Sequence, residues 1–165
     1  MDANPLRWSD PWGLWGVDVH SGIGNANFGT YLWATQIGFS DAQARSIAIA
    51  NNATDNYAGW AVIAGVPGRH FNTSVGGSID SRDIYARYDL ELALKLYKEG
   101  DECGSLKAIG RGLHSIQDKI AHGSWPFYIP HPNWVDDPSE RPFTLKETEH
   151  QTKEFLKEFL RRINR

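Results

Sequence analysis

The sequence contains a single cysteine, Cys103. With one thiol, no internal disulfide can form, and a cage of several thiolates around zinc is excluded as well. Any zinc site in this chain must therefore use nitrogen and oxygen ligands, which directs attention to its histidines and carboxylates.

Long hydrophobic runs are also missing. No apolar stretch approaches the roughly 20 residues that a membrane-spanning helix requires, and the first residues lack a signal-peptide pattern. We therefore expect no transmembrane segment, and we expect any export to depend on something outside these residues. The net charge of −3 disfavours a protein that lives on the nucleic-acid backbone, since such proteins usually carry a basic patch.

Alternation with a period of two residues, which is typical of half-buried strands, is scarce, whereas helical periodicity recurs. The length of 165 residues suits one domain. We predict an all-α, single-domain multi-helix bundle with long ordered loops and a zinc cluster in a cleft. Helices are expected over 25–37, from 40 towards 55, from 81 or 83 to 97, over 105–122 and from 144 onwards.

Local signals support these boundaries. Ser40 with Gln43, and Thr144 with Glu147, have capping-box spacing. In the third predicted helix Ile84, Tyr88 and Leu92 are expected to form the apolar face. The residues from 65 to 77 are punctuated by glycine and are predicted to be loop, as is the proline-rich stretch from 126 to 142.

Three residues with metal-ligand chemistry follow one another along the fourth helix. His114, Asp118 and His122 occupy positions i, i+4 and i+8, so they share one face. The two histidines lie about 12 Å apart along the axis at ~1.5 Å per residue, too far for one ion to bind both. The pattern therefore favours at least two metals with Asp118 near the middle.

The last helix carries a second pair with the same spacing, His150 and Glu154. Zinc usually takes three or four protein ligands, so both helices need contributions from elsewhere. Upstream the chain offers His20, Asp55 and His70. His131, between two prolines, is expected to have a loop role and not to be a primary ligand.

Taken in order, these residues resemble the zinc-dependent phospholipase C and single-strand nuclease superfamily. The matching positions are His20, Asp55, His70, His114, Asp118, His122, His150 and Glu154. The resemblance implies helices that hold a zinc cluster at the base of a cleft. One feature departs from the usual pattern: three residues separate Asp118 from His122, where five are usual. A second feature differs between the branches of the family: a glutamate at the position of Glu154 is commoner in the phospholipases, and an aspartate is commoner in the nucleases.

The residues from Asn4 to Leu14 resemble the boundary motif of RHS-repeat polymorphic toxins, after which variable toxin domains begin. This resemblance divides the chain into a linker, residues 1–14, and a toxin domain, residues 15–165. Many such proteins cut themselves just after the motif, which would make Trp15 the new amino terminus. In the zinc family an N-terminal tryptophan binds one zinc, so Trp15 is a further candidate ligand, together with His20 and Asp118.

The resemblance implies a secreted or injected toxin domain, made in the bacterial cytoplasm, that hydrolyses phosphodiester bonds with two or three zinc ions. Asp118 would bridge two ions, and Asp55 would orient or deprotonate the attacking water. A phospholipase C-like action on membrane phospholipid is the first hypothesis. A nuclease acting on single-stranded nucleic acid and a non-catalytic zinc-stabilised binding module are the alternatives. Manganese or iron is also compatible with these ligands. Expected partners are a cognate immunity protein and a parent RHS-repeat shell.

Overall fold

The computed structural model describes residues 17–56, 67–70, 79–123 and 138–165. Of these residues 78% are helical and none is in a strand, which confirms the predicted all-α class. The seven helices within these ranges are α1 (Val17–His20), α2 (Thr30–Gln36), α3 (Asp41–Asn56), α4 (Pro67–His70), α5 (Ser81–Lys98), α6 (Glu102–His122) and α7 (Pro142–Ile163). Within the described ranges, no helix combines the length and apolar character needed to cross a membrane.

Helix α6 is the centre of the bundle, with α3, α5 and α7 packed around it. Its apolar stripe contributes Leu106, Ile109 and Leu113 to a core that also includes Ile47 of α3 and Phe159 of α7. A smaller cluster of Val19, Trp33 and Ala121 closes the end of the bundle where α6 terminates. The polar stripe of α6 thus lies between packed helices and not against solvent.

Capping residues explain where several helices begin. Ser40 and Gln43 exchange the two hydrogen bonds of a capping box, which confirms that prediction. Helix α6 begins at Glu102, three residues earlier than expected, because the Asp101 side chain accepts a hydrogen bond from the Gly104 amide. The predicted capping box at Thr144 is wrong: α7 begins two residues earlier, with Pro142 in its first turn.

Two further expectations differ from the structure. Helix α2 starts at Thr30 and not at residue 25, because Gly29 has a φ of 114°, and a helix cannot run through a residue in that conformation. On α5, Ile84 and Tyr88 are 53% and 62% exposed, so the predicted apolar face is wrong for these two residues, whereas Leu92 packs against the core. The buried face carries Ala86, Leu90, Ala93 and Leu94, together with the polar Ser81, Arg82 and Asp89.

The predicted loop from residue 65 to 77 contains the four-residue helix α4, which ends at His70. The proline-rich stretch lies outside the described residues as far as position 137. The proposed linker, residues 1–14, and Trp15 also lie outside them.

Candidate metal centre

Four predicted ligands from three helices meet beside the middle of α6. His114 and Asp118 come from α6, His20 ends α1, and His70 ends α4. All four are buried, and His20, His114 and Asp118 have no exposed surface at all. Burying this many ionisable groups is costly unless each interacts with a partner, so their convergence is a feature that the fold must stabilise.

The carboxylate of Asp118 lies at the middle of the group. Its Oδ1 atom is 3.3 Å from His20 Nε2. Its Oδ2 atom is 3.1 Å from His114 Nε2 and 3.0 Å from His70 Nδ1. The last two nitrogens are themselves 2.9 Å apart. One carboxylate oxygen therefore faces one histidine, and the other faces two.

The distances match what a metal ion requires. Ligand atoms of His20, His114 and Asp118 all lie within 4.8 Å of one another. In a tetrahedral zinc site with bonds of about 2.0–2.1 Å, neighbouring ligand atoms lie about 3.3 Å apart. The distances from Asp118 to His20 Nε2 and to His114 Nε2, 3.3 and 3.1 Å, lie within a few tenths of an ångström of this value. The buried group of His20, His114 and Asp118 could therefore bind a metal ion.

The electrostatics keep Asp118 ionised. Complete burial raises the pKa of this carboxyl, but the charge of His114 and the hydrogen bonds from His114, His20 and His70 outweigh that effect. The resulting pKa lies well below the ordinary range of an aspartate. A carboxylate that is ionised and buried among imidazoles offers strong negative charge to a cation.

His20 is held in place by a close backbone contact in the loop between α1 and α2. A Cβ atom added to Gly29 would lie 2.5 Å from the Asp18 carbonyl oxygen and from the Gly22 Cα. Gly22 and Gly29 both have positive φ angles, so glycine is required at each of these two positions. The Tyr31 amide also donates to the Ser21 carbonyl across this loop. These contacts fix the end of α1, and with it the imidazole of His20.

His70 is held through its neighbour in the chain. Arg69 forms an ion pair with Asp89 of α5, whose carboxylate has no exposed surface. Arg111 of α6 lies 3.3 Å from the other oxygen of the same carboxylate. Asp89 thus ties α4 to both α5 and α6, and this connection sets the position of His70.

The last turn of α6 is secured by Arg82, whose guanidinium is almost fully buried. This group donates to the carbonyl oxygens of Asp118 and Gly123 and pairs with Asp80. Arg141, the residue directly before α7, donates to the Ala121 carbonyl. Positive charge at the carboxyl end of a helix is favourable, because the unsatisfied carbonyls there carry partial negative charge.

Three buried residues that the sequence analysis missed surround the histidines: Thr30, Asn51 and Gln117. His20 Nδ1 is 2.8 Å from Gln117 Oε1, and His114 Nδ1 is 3.2 Å from Asn51 Oδ1. The sequence offered one signal for Gln117: it lies three residues after His114, and so on a nearby part of the same helix. Uncharged polar side chains are common on exposed helix faces, so this signal could not have singled it out.

The structure does not bring His150 and Glu154 into this group. His150 and Glu154 are exposed on α7, and Glu154 pairs with Lys157. The face of α7 that contacts α6 carries Thr152, which accepts a hydrogen bond from Gln117. Residues at positions 150 and 154 lie about 200° around the helix from positions 148 and 152, so both point away.

Of the three remaining candidates, the structure describes the side chain of one. His122 is buried at the end of α6, two turns beyond His114 and apart from the group formed by His20, His114 and Asp118. Asp55 lies in the last turn of α3, and its side chain is outside the described part of the structure. Trp15 lies outside the described residues altogether.

Comparison of the chain with protein-family models, with curated proteins and with solved structures finds no match.

Proposed function

We propose that this chain is a zinc-dependent phosphodiesterase with phospholipase C-like activity. The observation that carries the proposal is the position of Asp118, whose two oxygens face different histidines. A carboxylate shared in this way is suited to two neighbouring ion sites. Two-metal sites are typical of enzymes that cleave phosphate esters.

We propose that these ligands are divided between two ions, although His20, His114 and Asp118 also lie close enough together to share one. His20 would bind one ion with Asp118 Oδ1, and His70 with His114 would bind the other with Oδ2. Imidazole and carboxylate ligands suit zinc, and they are also compatible with manganese or iron. A third ion held by His150 and Glu154 is not part of the proposal, because both side chains are exposed and face away.

Bound zinc would neutralise phosphate oxygens and lower the pKa of water towards ~7. The chain's own contribution is to hold Asp118 ionised, to fix its backbone through Arg82, and to orient His20, His70 and His114 around it. Asp55 is proposed to orient the attacking water, on the basis of its match to the family pattern.

The phospholipid substrate is proposed on the resemblance described above and on the net charge of −3, which suits a nucleic-acid backbone poorly. The second candidate is a nuclease acting on single strands. It is favoured by the five-residue separation of Trp15 and His20, which is like that of the nuclease branch. His20 lies beside Asp118, as a site formed by Trp15, His20 and Asp118 would require.

The resemblance of residues 4–14 to an RHS boundary motif supports a toxin role. We propose that a larger parent polypeptide delivers the domain into a target cell. A cognate immunity protein would then protect the producing cell by blocking the cleft. Separation of the chain after Leu14 would free Trp15, which we propose as a further ligand with His20 and Asp118.

Hydrolysis assays with matched variants test the proposal. Zinc-loaded protein is expected to cleave a simple aryl phosphodiester and phosphatidylcholine vesicles, and His114→Ala should lower the rate at least 100-fold. His150→Ala is the control, because it removes an exposed histidine, and its rate should equal that of the wild type. Cleavage of single-stranded nucleic acid but not of lipid would favour the nuclease. Zinc binding without hydrolysis of any of these substrates would favour a non-catalytic zinc-stabilised module.

A further inference from the structure

Only one assignment of donors and acceptors satisfies the hydrogen bonds around the Thr30 hydroxyl. A backbone carbonyl accepts and never donates, and the Thr30 hydroxyl lies 3.2 Å from the Val19 carbonyl oxygen. Its single proton is therefore donated there. The Thr30 oxygen must then accept from its other two neighbours, which are Asn51 Nδ2 and Gln117 Nε2, each at 2.9 Å.

This direction fixes both amide groups. Because the amide nitrogen of Asn51 faces Thr30, its Oδ1 atom faces His114 Nδ1 at 3.2 Å. Because the amide nitrogen of Gln117 also faces Thr30, its Oε1 atom faces His20 Nδ1 at 2.8 Å. The bond from Asn51 Nδ2 to Gln117 Oε1, at 2.9 Å, agrees with both assignments. An amide oxygen only accepts, so each histidine must donate from Nδ1.

We infer that Thr30, Asn51 and Gln117 hold both His20 and His114 in the tautomer that carries its proton on Nδ1. The inference rests on the metal site of the proposed function and not on the reaction catalysed there. When both rings are neutral, each presents a lone pair on Nε2 to the Asp118 carboxylate, at 3.3 Å for His20 and 3.1 Å for His114. The hydrogen bonds from these rings that lower the pKa of Asp118 belong to rings that carry a proton on both nitrogens. A lone pair that faces a carboxylate repels it, and a cation between the two removes the repulsion. At His20 the lone pair faces Asp118 Oδ1, whereas His114 Nε2 also has His70 Nδ1 beside it at 2.9 Å. The buried network thus prepares the site for a cation.

The opposite arrangement would satisfy the site without a metal. If both amides were rotated, their nitrogens would donate to Nδ1 of each histidine, and Nε2–H would donate to Asp118. Thr30 prevents this, because its oxygen would then face two amide oxygens while its only proton is bonded to Val19. Thr152 also accepts from Gln117 Nε2, but a hydroxyl can donate or accept and so sets no direction. Thr30 contacts the two amides and acts on the histidines through them, so it is a positioning residue.

The first test reads the tautomers directly. Nitrogen NMR of the metal-free wild-type protein, labelled on histidine, distinguishes a protonated Nδ1 from a protonated Nε2. At about pH 8.5, well above the ordinary histidine pKa of about 6.5, we expect Nδ1 of both His20 and His114 to carry a proton. A neutral ring with its proton on Nε2, at either residue, would overturn the inference. This result is independent of hydrolysis, so the tautomers can be established even if the protein proves not to be a phosphodiesterase.

The second test uses two matched substitutions. Thr30→Val and Thr148→Val each remove a buried hydroxyl that donates to a backbone carbonyl, but Thr148 lies outside the network. We expect Thr30→Val to populate the Nε2–H tautomer and to weaken zinc binding about tenfold or more, the size of effect typical for groups that orient metal ligands. Thr148→Val should keep the wild-type tautomers and zinc affinity. Equal zinc affinity and unchanged tautomers in the two variants would show that Thr30 does not set the direction. If Thr30→Val does not fold, the wild-type spectrum alone decides.

Discussion

Gly110 of α6 packs so closely against Ile47 of α3 that a Cβ atom on the glycine would lie 2.5 Å from the Ile47 carbonyl oxygen. The same atom would lie 2.9 Å from the backbone nitrogen of Asn51. This close approach of the two helices is what lets Asn51 reach His114. The packing of the bundle and the orientation of a candidate ligand therefore depend on the same glycine.

Gly110→Ala is expected to destabilise the protein, although alanine favours helix by up to about 1 kcal/mol. Overpacking against backbone costs about 1–3 kcal/mol, because the helices must move apart. Gly112→Ala is the control, since its new methyl would lie 2.9 Å from the tip of the Phe155 side chain, which can shift, and no closer than 3.3 Å to the Ala86 carbonyl oxygen and to Asp89 Cβ. Urea unfolding of both variants measures the difference. Equal stability of the two would show that the contact with α3 is not tight.

Asp89→Asn is expected to lower the free energy of unfolding by about 3 kcal/mol, which is at the low end for breaking a buried ion pair. The lower end applies because Arg111 is partly open to solvent. Since Arg69 adjoins His70, zinc affinity should fall as well. Glu154→Gln, which breaks an exposed pair with Lys157, should leave both quantities unchanged. A stable Asp89→Asn variant with wild-type zinc affinity would contradict the positioning role of Asp89.

The depressed pKa of Asp118 makes the stability of the metal-free protein depend on pH. A carboxyl with a lower pKa in the folded state adds stability above its unfolded pKa, about 3.9. That stability is lost as the pH falls through the folded value. We therefore expect wild type to be more stable than Asp118→Asn near pH 6, and the gap to narrow below about pH 4. Thermal unfolding of both proteins across this pH range measures the gap in stability. A gap that stays constant to about pH 2.5 would show that the pKa of Asp118 is not depressed.

The sequence could predict the pair on α6, because i and i+4 positions share a helix face whatever surrounds them. It could not choose a face on α7. His150 with Glu154 and Thr148 with Thr152 have the same spacing, and the second pair is buried because Gln117 of α6 donates to Thr152. That choice depends on a neighbouring helix.

The buried face of α5 was missed for a related reason. Charged residues such as Arg82 and Asp89 are usually exposed, whereas Ile84 and Tyr88 were predicted to lie on the apolar face. Arg82 is buried because it finds the carbonyls of Asp118 and Gly123, and Asp89 is buried because it finds Arg69. These partners lie 20 or more positions away along the chain, so local periodicity carries no sign of them.

The zinc content of four proteins tests the central claim most directly, namely that the carboxylate of Asp118 joins two ion sites. Elemental analysis of the wild type should give two zinc ions per chain, and His150→Ala, which removes an exposed histidine, should also give two. His20→Ala should keep one ion, held by His70, His114 and Asp118, and Asp118→Ala should lose both. Wild-type zinc content in Asp118→Ala, or loss of zinc in His150→Ala, would contradict the account.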